Sequence, residues 1–196
     1  MKRQIVLIRH GETAGNLEKR YVGRTDEPLC EEGIAGIEAK KSQGLYPPAA
    51  DDSVVLVSPM KRCSQTASLI YPQLEQITVE GLRECDFGSF EYRNYIEMDG
   101  DAEYQAWIDS GGKLPFPGGE NPDDFRERSR KVFRNAVERY RDRSQLIFVV
   151  HGGTIMSVMS AFAKPPRGYF DYSVVNGHGF VCGVSEGISM QVEGEI

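Results

Sequence analysis

The chain has 196 residues, enough for one domain with a sizeable core, and its 40% hydrophobic and 27% charged content is an ordinary globular balance. A net charge of -6 and a pI near 5.2 exclude a broad basic face for nucleic acid or for an anionic membrane. The four cysteines, Cys30, Cys63, Cys85 and Cys182, form no CxxC pair and read as free thiols in a reducing compartment rather than as a disulfide framework.

The first apolar run covers only residues 5–8, short of the roughly 7–15 apolar residues of a secretory leader. No stretch approaches the ~20 residues of a membrane span. A soluble, cytoplasmic protein is the expectation. Short apolar runs predict buried strands at 4–8, 53–57, 76–79 and 145–150, and later strands at 179–184 and 189–192. Helices are predicted at 31–45, at 59–70 with Ser58 as N-cap and Pro59 in first position, and at 123–140. A last helix runs from Thr154 to about 163, because Pro165-Pro166 stops it. Strands alternating with helices give the α/β class and a largely parallel sheet.

Residues 85–122 read differently. Tyr92, Tyr95, Tyr104 and Trp107 are followed by Gly111-Gly112, Pro115, Pro117 and Gly118-Gly119. The expectation is an insertion over one edge of the sheet, with a short helix at 101–108 and a long loop that forms a lid or wall. No long repeat and no low-complexity linker divides the chain, so 1–196 reads as a single domain.

The chemistry is announced by an internal echo. The first strand ends Val6-Leu7-Ile8-Arg9-His10-Gly11-Glu12-Thr13, and the fourth ends Phe148-Val149-Val150-His151-Gly152-Gly153-Thr154. Two of the three histidines thus follow buried strands in the same His-Gly-x-Thr context. Taken singly, either would pass for a structural residue. In an open parallel sheet ligands bind beyond the carboxyl ends of strands, so neighbouring strands would aim both imidazoles into one crevice. Glycines there allow close approach of a ligand, Thr154 is expected to cap the next helix, and that helix start offers N–H groups to an anion. Arg62 stands in the first turn of a helix, where a cation opposes the dipole unless something such as a phosphate compensates it. Glu84 lies beyond the third strand, with Glu80, Asp86 and Glu91 as nearby rivals. Arg9, His10, Arg62, Glu84 and His151 together supply what phosphoryl transfer needs: a nucleophile, guanidinium forks and a proton donor. His178, between glycines, reads as structural or pocket lining.

These residues resemble the histidine phosphatase superfamily, which includes the cofactor-dependent phosphoglycerate mutases. The resemblance rests on Arg9-His10-Gly11-Glu12-Thr13 with Asn16, on Ser58 to Ala67, on Leu82-Arg83-Glu84-Cys85-Asp86-Phe87-Gly88, and on Val150-His151-Gly152-Gly153. It implies a three-layer α/β/α sandwich with a mostly parallel central sheet and a reaction without metal or other cofactor. It further implies that His10 is phosphorylated, that Arg9, Arg62 and a protonated His151 hold the phosphoryl oxygens, and that Glu84 is the acid and then the base. Asn16, Gly23, Thr25 and Gly152 are the implied substrate- and phosphate-binding positions.

Within the superfamily, the segment from Arg20 to Leu29 and Pro117-Gly118-Gly119-Glu120-Asn121 are most similar to the α-ribazole phosphatase branch. Cys30 stands where that pattern has a capping Ser or Thr, which implies a weaker cap. Phe90-Glu91-Tyr92 replaces Trp-Glu-Gly and Asn121 replaces Ser, both placed by the resemblance in the substrate wall. The implied partner is a small phosphorylated metabolite, neither nucleic acid nor membrane, and the implied state is monomer or homodimer. Two other functions stay open: mutase-type phosphoryl return to substrate, and a catalytically silent phospho-ligand sensor, whose usual mark is a missing nucleophile or acid. Neither is missing here. A metallohydrolase would need HxH or HExxH spacing, and the sequence has none.

Overall fold

The computed structural model describes residues 3–184 and 187–196. Its strands are β1 (Arg3–Arg9), β2 (Val54–Val57), β3 (Gln76–Thr78), β4 (Gln145–Val150), β5 (Ala163–Lys164), β6 (Gly179–Val184) and β7 (Met190–Glu195). The helices are α1 (Ala14–Leu17), α2 (Glu31–Ser42), α3 (Lys61–Ile70), α4 (Ala102–Asp109), α5 (Pro122–Arg139) and α6 (Gly152–Phe162). Among the described residues the strands form one seven-stranded sheet in the order β3-β2-β4-β1-β6-β7-β5. The central pairs β1/β4, β2/β4 and β2/β3 are parallel, whereas β6 runs antiparallel to β1 and to β7.

Strand periodicity sorts the core into two faces. Ile5, Leu7, Leu146, Phe148 and Val150 meet Phe133 and Val137 of α5 and Ile155 and Met159 of α6. Val6, Ile8, Val55, Val57, Ile147 and Val149 meet Ile37 of α2 and Cys63, Ala67 and Ile70 of α3. The result is the α/β/α sandwich with a mostly parallel sheet. All six residues of β4 are buried, as a central strand covered on both faces requires.

Several local expectations are corrected. α3 begins at Lys61, not at Pro59, and its N-cap Met60 has no side-chain cap. Ser58 is buried and turns its hydroxyl to His151, while the Lys61 N–H is capped from another segment by Asp26 Oδ1 at 2.7 Å. Thr154 lies inside α6 rather than capping it; His151 is the N-cap, and the Thr154 hydroxyl has no partner among the described residues. Cys30 does cap α2, its sulfur accepting the Gly33 N–H at 3.3 Å. Asn121 caps α5 through the Asp123 N–H, with Pro122 in the first turn. Elements that the sequence reading did not place include α1, the two-residue β5 and a 3-10 turn at Tyr169–Tyr172.

The 85–122 region carries α4, capped by Asp101, and joins Tyr21 and Phe125 in a third apolar cluster. Cys85, Phe90, Met98, Phe116 and Phe125 form its centre, with Tyr21, Phe87, Tyr104 and Trp107 packed around them.

Candidate active site

β1 and β4 pair in parallel with Arg9 opposite Val150, so His10 and His151 leave the sheet side by side. The His10 N–H still bonds the Val150 carbonyl at 2.9 Å, and the two imidazole centroids are 5.2 Å apart. Both rings are buried. His10 Nδ1 lies 2.7 Å from the Gly11 carbonyl. A carbonyl only accepts, so Nδ1 carries the hydrogen and Nε2 keeps its lone pair. The turn itself is anchored to α3, because the Gly11 N–H bonds Thr66 Oγ1 at 2.9 Å.

The electrostatics follow from burial among cations. Desolvation, then the Arg62 and Arg9 charges, hold His10 well below the usual imidazole range. Desolvation, Arg62 and His10 do the same for His151. In the free protein both shifts favour the neutral imidazole. His151 Nε2 sits 2.7 Å from Ser58 Oγ, a partner that sequence reading assigned to helix capping.

Arg62 is fully buried. Its Nη1 donates to Thr25 O at 2.8 Å, and its Nη2 donates to Gly23 O at 2.9 Å and Val22 O at 3.3 Å. Carbonyl dipoles, rather than a phosphate alone, thus offset the cation at the start of α3. Gly23 and Thr25 belong to the site through these oxygens; their N–H groups are taken by Glu91. The Nε–H groups of Arg62 and of Arg9 are buried with no acceptor among the described residues. Arg9 is steadied by Nη1 donating to Val174 O at 2.7 Å, and its guanidinium lies against Gly152, where a Cβ would stand 3.5 Å away. Asn16 is held by the capping box with Thr13 and by Asn176, whose Nδ2 donates to Asn16 Oδ1 at 3.0 Å. The same Asn176 amide reaches His10 O at 3.1 Å and so ties β1's end to the 174–178 loop. Sequence reading missed Asn176, which no local pattern distinguishes. His178 stands apart, its Nδ1 bonded to Ile196 O at 2.5 Å.

Glu84 closes the group. Its Oε1 accepts the Cys85 N–H at 3.0 Å and its Oε2 the Gly153 N–H at 3.3 Å. Burial pushes this carboxyl above its ordinary range, while those two bonds and the Arg62 and Arg9 charges pull it back. Two of the three rival acids stand elsewhere: Asp86 pairs with exposed Arg24, and Glu91 is turned into the 23–25 loop.

Beside Glu84 opens a cavity of about 240 Å³, walled by Tyr21, Phe87, Trp107, Phe116, Phe125 and Tyr169. The expected aromatic wall exists, but its members differ from those the sequence suggested. Only Trp107 of the four predicted aromatics lines it. Tyr92 bonds Glu27, Tyr95 is exposed, and Tyr104 packs on Phe90. Phe90, Glu91, Tyr92 and Asn121 are not wall residues. Tyr169 comes from the unpredicted 3-10 turn, with Arg126 stacked on its ring at 4.4 Å.

An imidazole nitrogen with a free lone pair, two guanidiniums with unspent donors and a carboxyl raised by burial are the kinds of group that phosphoryl transfer uses. Residues 5–185 match the model of the histidine phosphatase superfamily (branch 1), and the chain belongs to that superfamily. It is 29% identical over 188 residues to the adenosylcobalamin/alpha-ribazole phosphatase of Salmonella typhimurium (strain LT2), covering 93% of this chain and 91% of that one. It is 30% identical over 169 residues to the 2,3-bisphosphoglycerate-dependent phosphoglycerate mutase of Methylorubrum extorquens (strain PA1), covering 81% and 78%. The alpha-ribazole phosphatase structure from Shigella flexneri superposes with a TM-score of 0.83 at 25% identity, over 96% of this chain and 95% of that one. Among the described residues no helix is long and apolar enough to cross a membrane.

Proposed function

We propose that this protein hydrolyses phosphomonoesters in two steps through a phosphohistidine on His10, with α-ribazole 5′-phosphate as first substrate and other small phosphorylated metabolites after it. The observation that carries the reading is the pair of adjacent buried imidazoles set among guanidiniums whose Nε–H groups lack acceptors among the described residues, with burial and those charges pushing both imidazole pKa values down. His10 Nε2 attacks phosphorus in line as the bond to the leaving oxygen breaks, and Glu84 gives that oxygen its proton. Water then attacks the phosphohistidine, Glu84 takes the water proton, and His10 leaves with its lone pair restored. Arg9, Arg62 and His151 offset charge on the equatorial oxygens, which is electrostatic stabilisation by preorganised donors. Asn16 and Gly152 flank the phosphoryl group, while Gly23 and Thr25 serve by holding Arg62. No step uses a metal or other cofactor.

The substrate choice is supported by the aromatic, largely apolar cavity beside Glu84, which suits a flat nucleoside-like leaving group better than a small, highly charged one. The Salmonella relative, matched over nearly the full chain, points the same way. The test compares kcat/KM for α-ribazole 5′-phosphate, nucleoside monophosphates, 3-phosphoglycerate and sugar phosphates, with released phosphate as readout. A tenfold lead for 3-phosphoglycerate would overturn the substrate assignment. The Methylorubrum relative favours phosphoryl return as the second reading; interconversion of phosphoglycerates without phosphate release would establish it.

A further inference from the structure

We propose that Glu91 is a positioning residue for Arg62, acting through the 22–25 turn that lies between them. The inference rests on the reading of Arg62 as a phosphoryl ligand. Glu91 Oε1 accepts the N–H of Gly23 at 2.9 Å and the N–H of Thr25 at 2.9 Å. The carbonyls of that same turn, Val22, Gly23 and Thr25, are the ones that receive Arg62. Peptide N–H groups therefore face a carboxylate on one side of the turn, and peptide oxygens face a guanidinium on the other. Each charge orients the dipoles that the other needs, and charge-assisted bonds of this kind are the strong ones.

A Cβ on Gly23 would stand 2.1 Å from Cys85 O, so the backbone runs against the segment carrying Glu84 and only glycine fits. Without Glu91 the turn keeps this contact but loses the two bonds that set its orientation. Arg62 cannot compensate, because it is fully buried and its three carbonyl acceptors all lie in this turn. Glu91 is also unsuited to a direct part in catalysis: it does not line the cavity, and its remaining oxygen is buried with no partner among the described residues.

The experiment measures orthovanadate affinity, kcat and KM on Glu91→Ala, Glu91→Asp and Glu91→Gln, with Tm recorded for each. Gln retains an oxygen with two lone pairs at the position that takes both N–H groups but gives up the charge, so Glu91→Gln loses roughly tenfold, clearly less than Asp or Ala. Glu91→Asp keeps the charge but withdraws the oxygen by a methylene. Asp and Ala lower kcat/KM and vanadate affinity by about a hundredfold, the effect of misplacing a catalytic group by an ångström. Should the Ala variant fail to fold, Asp against Gln carries the comparison. Arg62→Lys removes the fork, and Glu91→Ala added to it costs little more, because the two act as one unit. Equal losses in Gln and Ala, or an undiminished Glu91 effect in the Arg62→Lys background, overturn the proposal. Wild-type vanadate affinity in Arg62→Lys alone overturns instead the phosphoryl role of Arg62.

Discussion

Replacing Glu84 with Gln separates its structural cost from its chemical one. The carboxylate takes one N–H on each oxygen, from Cys85 at 3.0 Å and from Gly153 at 3.3 Å. Gln keeps the shape and the shorter bond, and its NH₂ then confronts the Gly153 N–H. An unpaired buried donor costs ~1–3 kcal/mol, and half-buried Gly153 belongs at the lower end. The amide has no charge to desolvate, and desolvation is the largest influence on Glu84. These effects oppose each other, so Tm changes little. Turnover changes far more, because an amide has no proton to give. General acid catalysis contributes ~10²–10⁴-fold, which is roughly 3–5 kcal/mol of barrier. The full loss is expected for alkyl phosphates, and about tenfold or less for p-nitrophenyl phosphate, whose leaving group needs little protonation. Rapid-quench measurement of His10 phosphorylation with both substrates reads the difference directly. Equal losses for the two leaving groups refute the assignment of Glu84 as the acid.

His10→Ala should abolish turnover, and wild-type protein quenched soon after mixing with substrate should carry acid-labile, base-stable phosphate on His10; label on Ser, Asp or Cys refutes the mechanism. Because burial and Arg62 hold His10 well below 6.5, the nucleophile stays deprotonated as pH falls through 6.5, and the acid limb of kcat/KM lies under that value. The same depression in both histidines means that the unfolded chain takes up protons first, so stability declines as pH drops below 6.5; a Tm that rises on acidification through that region contradicts it. Ser58→Ala removes the hydroxyl from His151 Nε2 and should lower kcat/KM about tenfold, the equivalent of ~1.4 kcal/mol, with unchanged activity as the refuting result. Trp107→Ala should raise KM for α-ribazole 5′-phosphate about two- to tenfold and leave that for small alkyl phosphates unchanged; a uniform rise in both would deny the cavity a part in recognition.

What the sequence determined by itself is local and periodic. Four apolar runs, each ending in polar residues that a strand end can present, were enough to place β1, β2, β3 and β4 within a residue or so. The repeated His-Gly-x-Thr then brought His10 and His151 to one end of one sheet, because parallel neighbours project the same end of each strand. Arg62 was legible in the first turn of the helix after β2, whereas Glu84, in the loop beyond β3, was separated from its rival acids only by the resemblance to the superfamily. The starts of α4 and α5 were read near 101 and 123, where the structure has Asp101 as N-cap and Pro122 in the first turn.

What only the tertiary structure decided is where side chains go when their partners are distant in sequence. Ser58 had every local mark of an N-cap, yet a buried imidazole 93 positions away claims its hydroxyl, and Asp26 caps the helix instead. Glu91 looked like a spare acid until the fold turned it onto the N–H groups of Gly23 and Thr25, which no spacing rule reports. The cavity wall draws on Tyr21, Trp107, Phe125 and Tyr169, four separate segments converging on one volume. Protonation followed the fold as well: a histidine's sequence neighbours do not reveal that it will be buried, nor that two guanidiniums will be buried with it, and burial first and those charges second are what push both imidazole pKa values down.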